Sequence, residues 1–183
     1  MNKIFYYIVL SITLIFISCS DPALEVEYGK TLIYMPQATH NLGTDCNLNV
    51  QLSPSAKSDT VVTIGVYRSG LQKLEEFSVS LNLNVDTIAK AKVIAEDPFA
   101  EEKYLMYKTA QLLPGEYYES LPELLTVPKG SREATFGLKL KKEEILESFK
   151  KDDIFLLPIQ ISNPTRYEIN KALSLTMVVI TIK

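Results

Sequence analysis

The chain has 183 residues, a formal net charge of −3, ten tyrosines, two cysteines, one histidine and no tryptophan. That length suffices for one substantial hydrophobic core. Mild acidity without a block of Lys and Arg excludes a nucleic-acid binder, which needs clustered cations to displace counterions.

The N-terminus reads as an export signal. Lys3 is followed by an apolar run from Ile4 to Ile17, and Ser18 then precedes Cys19. This is the order of basic region, apolar region and small cleavage-site residue. A cysteine directly behind the cleavage point fits a lipobox, whose thiol takes up lipid and becomes the mature N-terminus. The apolar run, about 14 residues, is shorter than the roughly 18 to 20 that span a bilayer. The expected organisation is therefore a lipoprotein signal peptide over 1–18, lipidated Cys19 with a polar tether over 19–29, and a single domain over 30–183. The expected partner at this end is a membrane reached through the lipid. The expected location is the outer membrane, at the cell surface rather than its periplasmic face.

Beyond the tether the dominant period is two. Leu32 to Pro36 predicts a short strand ended by proline. Cys46 to Leu52 alternates, which puts Cys46 on one face with Leu48 and Val50 as a small core residue. Val61 to Tyr67 is β-branched and aromatic, followed by a predicted turn at Arg68-Ser69-Gly70. Phe77 to Val85 is the clearest strand: every odd position is apolar and every even one polar, the pattern of a sheet with one buried and one wet face.

The middle of the chain changes character. Asp86 is placed to cap a helix over Thr87 to Glu96, with Ile88, Ala91 and Ala95 on one side and Pro98 as the break. Residues 100–111 hold further helix formers, and Leu112-Leu113-Pro114-Gly115 turns the chain. Tyr117-Tyr118 and Leu124 to Val127 read as strand, and Pro128-Lys129-Gly130-Ser131 as a turn. Ala134 to Leu140 alternates again. A short surface helix over Lys141 to Lys151 turns Ile145 and Phe149 inward. Ile154 to Ile161 is almost wholly apolar, and its Pro158 predicts a bulged or edge strand. Leu173 to Ile182 closes the domain. Some seven strands with turn signals and two helical interruptions predict a mostly β fold, an immunoglobulin-like antiparallel β-sandwich with one or two short helical excursions.

Catalytic motifs are missing from the sequence. There is no phosphate loop, nucleophile elbow, metal-spaced His/Cys cluster or EF-hand loop. The sole histidine, His40, falls in a polar loop, which leaves Cys46 without an evident activator. The acidic doublets Glu101-Glu102, Glu143-Glu144 and Asp152-Asp153 are neighbours whose side chains point apart, unlike a facing glycosidase pair. No enzyme activity, cofactor or metal is expected. The hint of ligand binding is aromatic: Tyr104, Tyr107, Tyr117 and Tyr118 surround the helical excursion, and exposed tyrosine rings suit the apolar face of a sugar.

The order of elements in the second half is also familiar. Val85-Asp86 precedes a helical insert; Leu112-Leu113-Pro114 leads to Tyr117-Tyr118; Thr126 to Ser131 precedes an alternating strand; Phe155 to Ile161 follows, and Ile169-Asn170 stands before the last strand. This resembles the β-sandwich domain of unknown function found at the N-terminus of Bacteroidetes surface lipoproteins, including some family-18 endoglycosidases and glycan-binding proteins. The resemblance covers about residues 30–183. It implies that catalytic or sugar-binding residues sit in a second, C-terminal module, so no site residue carries over. The expected function is a non-catalytic accessory or binding module of the cell envelope, acting in glycan capture with a glycan or envelope protein as partner. The alternative is a structural adhesin or assembly subunit that pairs through its sheet edges.

Overall fold

The computed structural model describes residues 30–39, 47–55, 60–70 and 73–183. Cys19, the tether, His40 and Cys46 lie outside the described residues. Two sheets account for the alternation. The first holds β7 (Glu133–Leu140), β3 (Thr60–Arg68), β1 (Leu32–Tyr34) and β9 (Glu168–Ile169), in that order. The second holds β2 (Asn47–Leu52), β10 (Leu175–Ile182), β8 (Ile154–Ser162), β4 (Phe77–Leu83) and β6 (Leu124–Val127), with the short β5 (Gln111–Leu112) beside β8. The pairs β1–β9, β2–β10 and β5–β8 are parallel, and the others antiparallel. The chain is a β-sandwich, as the alternation predicts.

The core lies between the sheets. Val62, Ile64 and Val66 of β3 and Leu138 and Leu140 of β7 meet Phe77, Val79 and Leu81 of β4 and Phe155, Leu157, Ile159 and Ile161 of β8. Each fully buried aliphatic side chain contributes about 1.5 to 3 kcal/mol. Val85, expected to extend the buried face of β4, is 50% exposed. The strand stops at Leu83, and helix α1 (Asp86–Glu96) begins three residues later. Asp86 lies in the first turn of α1 rather than capping it, and no side chain caps this end.

A second, smaller core sits on the outer face of the second sheet. Ile88, Ala91 and Ala95 of α1 and Tyr107 of the 3₁₀ segment Glu102–Lys108 cover Leu156, Met177 and Val179. β8 and β10 are thus buried on both sides, which explains their continuous apolar runs. Helix α2 (Lys142–Ser148) turns Ile145 inward, and Phe149 just beyond it packs on Phe155 with ring centroids 4.4 Å apart.

Three local expectations change. Pro158 is buried in a central strand, not at an edge. Its carbonyl accepts from the Asn84 N–H at 2.8 Å, so its own amide position points away from β10. On that side β5 pairs only as far as Leu156 and β4 starts at Ile159. The proline falls in the gap, where its missing N–H removes no ladder bond. Arg68, expected in a turn, is the last inward position of β3 and is 1% exposed. Tyr117 ends a 3₁₀ turn, Gly115–Tyr117, instead of entering a strand, and Tyr118 makes one isolated bridge to Leu140.

Candidate functional site

The four candidate tyrosines divide between the two cores. Tyr107 is 5% exposed, and its hydroxyl takes a hydrogen bond from the Asn47 side-chain amide. Tyr104 is half-buried, 6.3 Å from Tyr107 between ring centroids, with the Lys103 ammonium 4.8 Å from its ring. Tyr117 packs on Phe149 at 4.9 Å, and both Tyr117 and Tyr118 lie against the main core. Burial pushes the Tyr118 phenol pKa up. The structure thus places the four rings in two groups, Tyr104 with Tyr107 and Tyr117 with Tyr118, of which Tyr107 is buried and the other three are half-buried.

A different surface stands out. None of the six strands of the second sheet contains a charged residue. Where α1 leaves its outer face open, β4 and β8 present hydroxyls and amides, and β6 presents Thr126 beside Leu124, an exposed apolar side chain opposite Ser80. Ser78 Oγ is 2.8 Å from Thr126 Oγ1. Asn82 Nδ2 donates to Ser162 Oγ at 2.7 Å, and Asn84 Nδ2 donates to Gln160 Oε1 at 2.7 Å. These pairs follow from register, since Ser78 faces Thr126 and Asn82 faces Gln160 beside Ser162. The row from Ser78 to Asn84 is about 20 Å long at roughly 3.4 Å per residue. Each amide keeps hydrogen-bonding capacity beyond the bond it makes. The surface is thus a neutral bed of fixed donors and acceptors.

Gln160 also borders a groove of about 460 Å³, whose other lining residues are Ile161, Pro164, Tyr167, Glu168, Ile169, Lys171 and Ser174. Tyr167 has φ of 64°, a conformation that costs an aromatic residue on the order of 1 to 3 kcal/mol and persists only when its surroundings enforce it. Those surroundings are visible. The Tyr167 hydroxyl accepts from Arg68 Nη1 at 2.7 Å and donates to the Lys73 carbonyl at 3.3 Å. Arg68 also donates to the carbonyls of Glu75 and Ser131, at 3.0 Å each, and lies within 5.7 Å of the Phe77 and Tyr167 ring centres. Its Nε has no partner. The buried guanidinium is held by carbonyls and aromatic faces, and it locks the wall of the groove.

Sequence reasoning saw Ser78 to Asn84 as a wet face but not as a site. The usable signal was the absence of charge along that face, with one amide, Gln160, inside an apolar run. Nothing in the sequence marks Tyr167. The sheet edge offers less: Ser131 Oγ engages both backbone groups of Glu133, and residues 117 and 119 bond Lys141 and Lys139. Among the described residues no group of three or more His, Cys, Asp or Glu could hold a metal ion.

Fold and surface together define a β-sandwich domain with a neutral polar face. A family model described as a "-like, N-terminal domain" matches residues 28–168, and the chain belongs to that family. This agrees with the N-terminal β-sandwich resemblance in the sequence. A Bacteroides ovatus protein of unknown function superposes with a TM-score of 0.56 at 19% identity, covering 82% of this chain and 44% of its own. A candidate carbohydrate-binding protein from Bacteroides ovatus ATCC 8483 gives 0.53 at 10% identity, over 82% of this chain and 36% of its own. EndoBT-3987 of Bacteroides thetaiotamicron, solved with a Man5GlcNAc product, gives 0.52 at 12%, over 82% and 30%. At these identities the likeness is one of fold, and the chain spans less than half of each of these proteins. No curated protein matches it significantly.

Proposed function

We propose that this protein is a non-catalytic accessory module that holds neutral glycans on the outer face of its second sheet, tethered to the cell envelope through lipid on Cys19. The observation that carries the reading is the charge-free sheet whose open flank displays Ser78, Asn82, Asn84, Gln160, Ser162 and Thr126. Saccharide hydroxyls both donate and accept, and this surface offers both without a cation or anion to favour a charged ligand. Two structural neighbours, one a candidate carbohydrate-binding protein and one an endoglycosidase, support a glycan context.

With so shallow a bed, affinity should lie near 1 mM, about −4 kcal/mol, and many copies on one surface would raise avidity. Titration of the purified protein with neutral linear oligosaccharides, followed by amide chemical shifts, tests this. Asn82→Ala should weaken binding several-fold and leave the unfolding midpoint unchanged; binding untouched by it would sink the assignment. Detergent-phase partitioning of wild type against Cys19→Ala tests the tether separately. A Cys19→Ala protein still retained in the membrane fraction would remove it.

A further inference from the structure

We infer that the free edge of β6 is a dimer interface, at which a second copy of this chain pairs with it in antiparallel register about Leu125. Register decides which backbone groups of β6 are spare. The Leu81 N–H donates to the Glu123 carbonyl at 3.2 Å. Glu123, Leu125 and Val127 therefore bond to β4, and the alternate residues, Leu124 and Thr126, turn their N–H and C=O away from it. β6 ends its sheet, and among the described residues nothing bonds these outward groups. Both residues are exposed, Leu124 at 54%. The neighbouring edge, β7 of the first sheet, is stopped at both ends instead: Ser131 Oγ takes up Glu133, and residues 117 and 119 take up Lys141 and Lys139. β6 also lacks the charged side chains that commonly guard such an edge.

The flanking residues say what fits there. Pro122 and Pro128 occupy the next outward positions, equally far from Leu125 on either side, and neither has an N–H to give. The Pro128 carbonyl is already taken, by the Ser131 N–H at 3.0 Å. The edge is thus symmetric about Leu125 and closed at both ends. In a two-fold antiparallel pair centred on Leu125, Leu124 of each copy lies opposite Thr126 of the other, and the outward N–H and C=O groups of both residues are all bonded. Pro122 then meets Pro128, where neither ring displaces a bond. Sliding the pair either way sets a proline ring against Thr126 or Leu124 and leaves a carbonyl without a donor, so one register is preferred. The two-fold closes the assembly at two copies. It runs perpendicular to the sheet, so both outer faces point the same way and each exposed Leu124 gains a cross-strand neighbour. Under the glycan reading the two polar beds become one surface with two sites, although the pairing stands without that reading.

The ladder is short, so the dimer should be weak, with a Kd on the order of 0.1 to 1 mM. Sedimentation velocity and backbone amide exchange of the purified protein, each well below and well above that range, test it. At the higher concentration the sedimentation coefficient should rise toward that of a dimer. The Leu124 and Thr126 amides should gain protection there, while those of Leu125 and Val127, bonded to β4 in either state, should not change. Thr126→Pro removes an outward N–H that no bond within the chain uses. It should unfold near the wild-type temperature and stay monomeric. Should the proline disturb β6, Leu124→Lys carries the same test, since it sets a charge at the pairing edge and leaves the core untouched; it should weaken the dimer several-fold. A protein monomeric throughout the range would overturn the inference. So would a dimer whose Leu124 and Thr126 amides exchange as fast as in the monomer, or one that a folded Thr126→Pro or Leu124→Lys protein still forms with wild-type affinity.

Discussion

The two sheets bury their inner faces alike and differ in what they turn to water. The first carries Arg68, Glu133, Lys139 and Glu168 within its strands, and its outer face is a patchwork of charge, methyl groups and the tilted pair Tyr34–Tyr67, 5.3 Å apart. Where β1 ends, the Gln37 amide stands in for a strand, accepting from the Gly65 N–H at 3.0 Å and donating to the Thr63 carbonyl at 3.3 Å. The second sheet has no charge in any strand, is half roofed by α1, and is open over a hydrogen-bonded polar bed. An outer face needs only to be soluble, and mixed charge achieves that at once. A face that carries no charge, pairs its hydroxyls and amides in register and leaves Leu124 exposed among them is under a second constraint.

The sharpest test of that contrast lies within one strand. Leu81→Ala should cost about 2 to 5 kcal/mol by emptying part of the core, whereas Asn82→Ala, one residue on and facing water, should stay within about 0.5 kcal/mol. Denaturant unfolding of both proteins measures this, and equal costs would break the division of β4 into a structural and a displaying face. Next comes Arg68→Met on the first sheet. The carbonyls of Glu75 and Ser131 lose buried donors, at about 1 to 3 kcal/mol, and Tyr167 loses the bond that holds its backbone. Thermal unfolding should show that fall; an unchanged midpoint would remove the latch.

A smaller effect is expected under the roof. Tyr107→Phe deletes the bond with Asn47 and should cost about 0.5 to 1.5 kcal/mol in thermal unfolding, with oligosaccharide affinity unaffected; a loss of affinity would extend the site beneath α1. The smallest effect concerns Tyr118. Burial raises its folded-state pKa, so its contribution is fully present below the unfolded value near 10 and is lost as pH rises through the folded one. Unfolding midpoints scanned across that alkaline window should fall less steeply for Tyr118→Phe than for wild type, and identical slopes would refute the assignment.

Much of the fold was legible because alternation is a direct record of burial. Phe77 to Leu83 shows this, and so do Ile88, Ala91 and Ala95, the three α1 residues expected to face inward and buried in the structure. Legibility failed where tertiary context overrules local signals. Arg68-Ser69-Gly70 has turn composition, yet Arg68 completes β3, where the carbonyls of nearby Glu75 and distant Ser131 converge on it. Pro158 signals an edge, yet a central strand tolerates it where one neighbour ends and the next begins. The tyrosines were conspicuous by type, but the sequence did not show that they fall into two groups, with Tyr107 buried under α1 and Tyr117 packed on Phe149. The polar bed was visible as an even-numbered row on β4, but its partners on β6 and β8 are tens of residues away, and only pairing register brings them together.

Pro158 and Phe155 have a further consequence for how this scaffold can be altered. The chain leaves the sheet at Asn84, bonded to Pro158, and re-enters it at Gln111, which pairs with Phe155. The points of departure and return are thus three residues apart on one strand, about 10 Å. The intervening stretch is a cassette clipped onto a finished framework. Exchange for a sequence of different length should leave the register of β4, β8 and β10 unshifted, since their pairing involves no residue of the stretch. What any replacement must supply is a cover for Leu156, Met177 and Val179, since bare, they would turn a soluble domain into a sticky one.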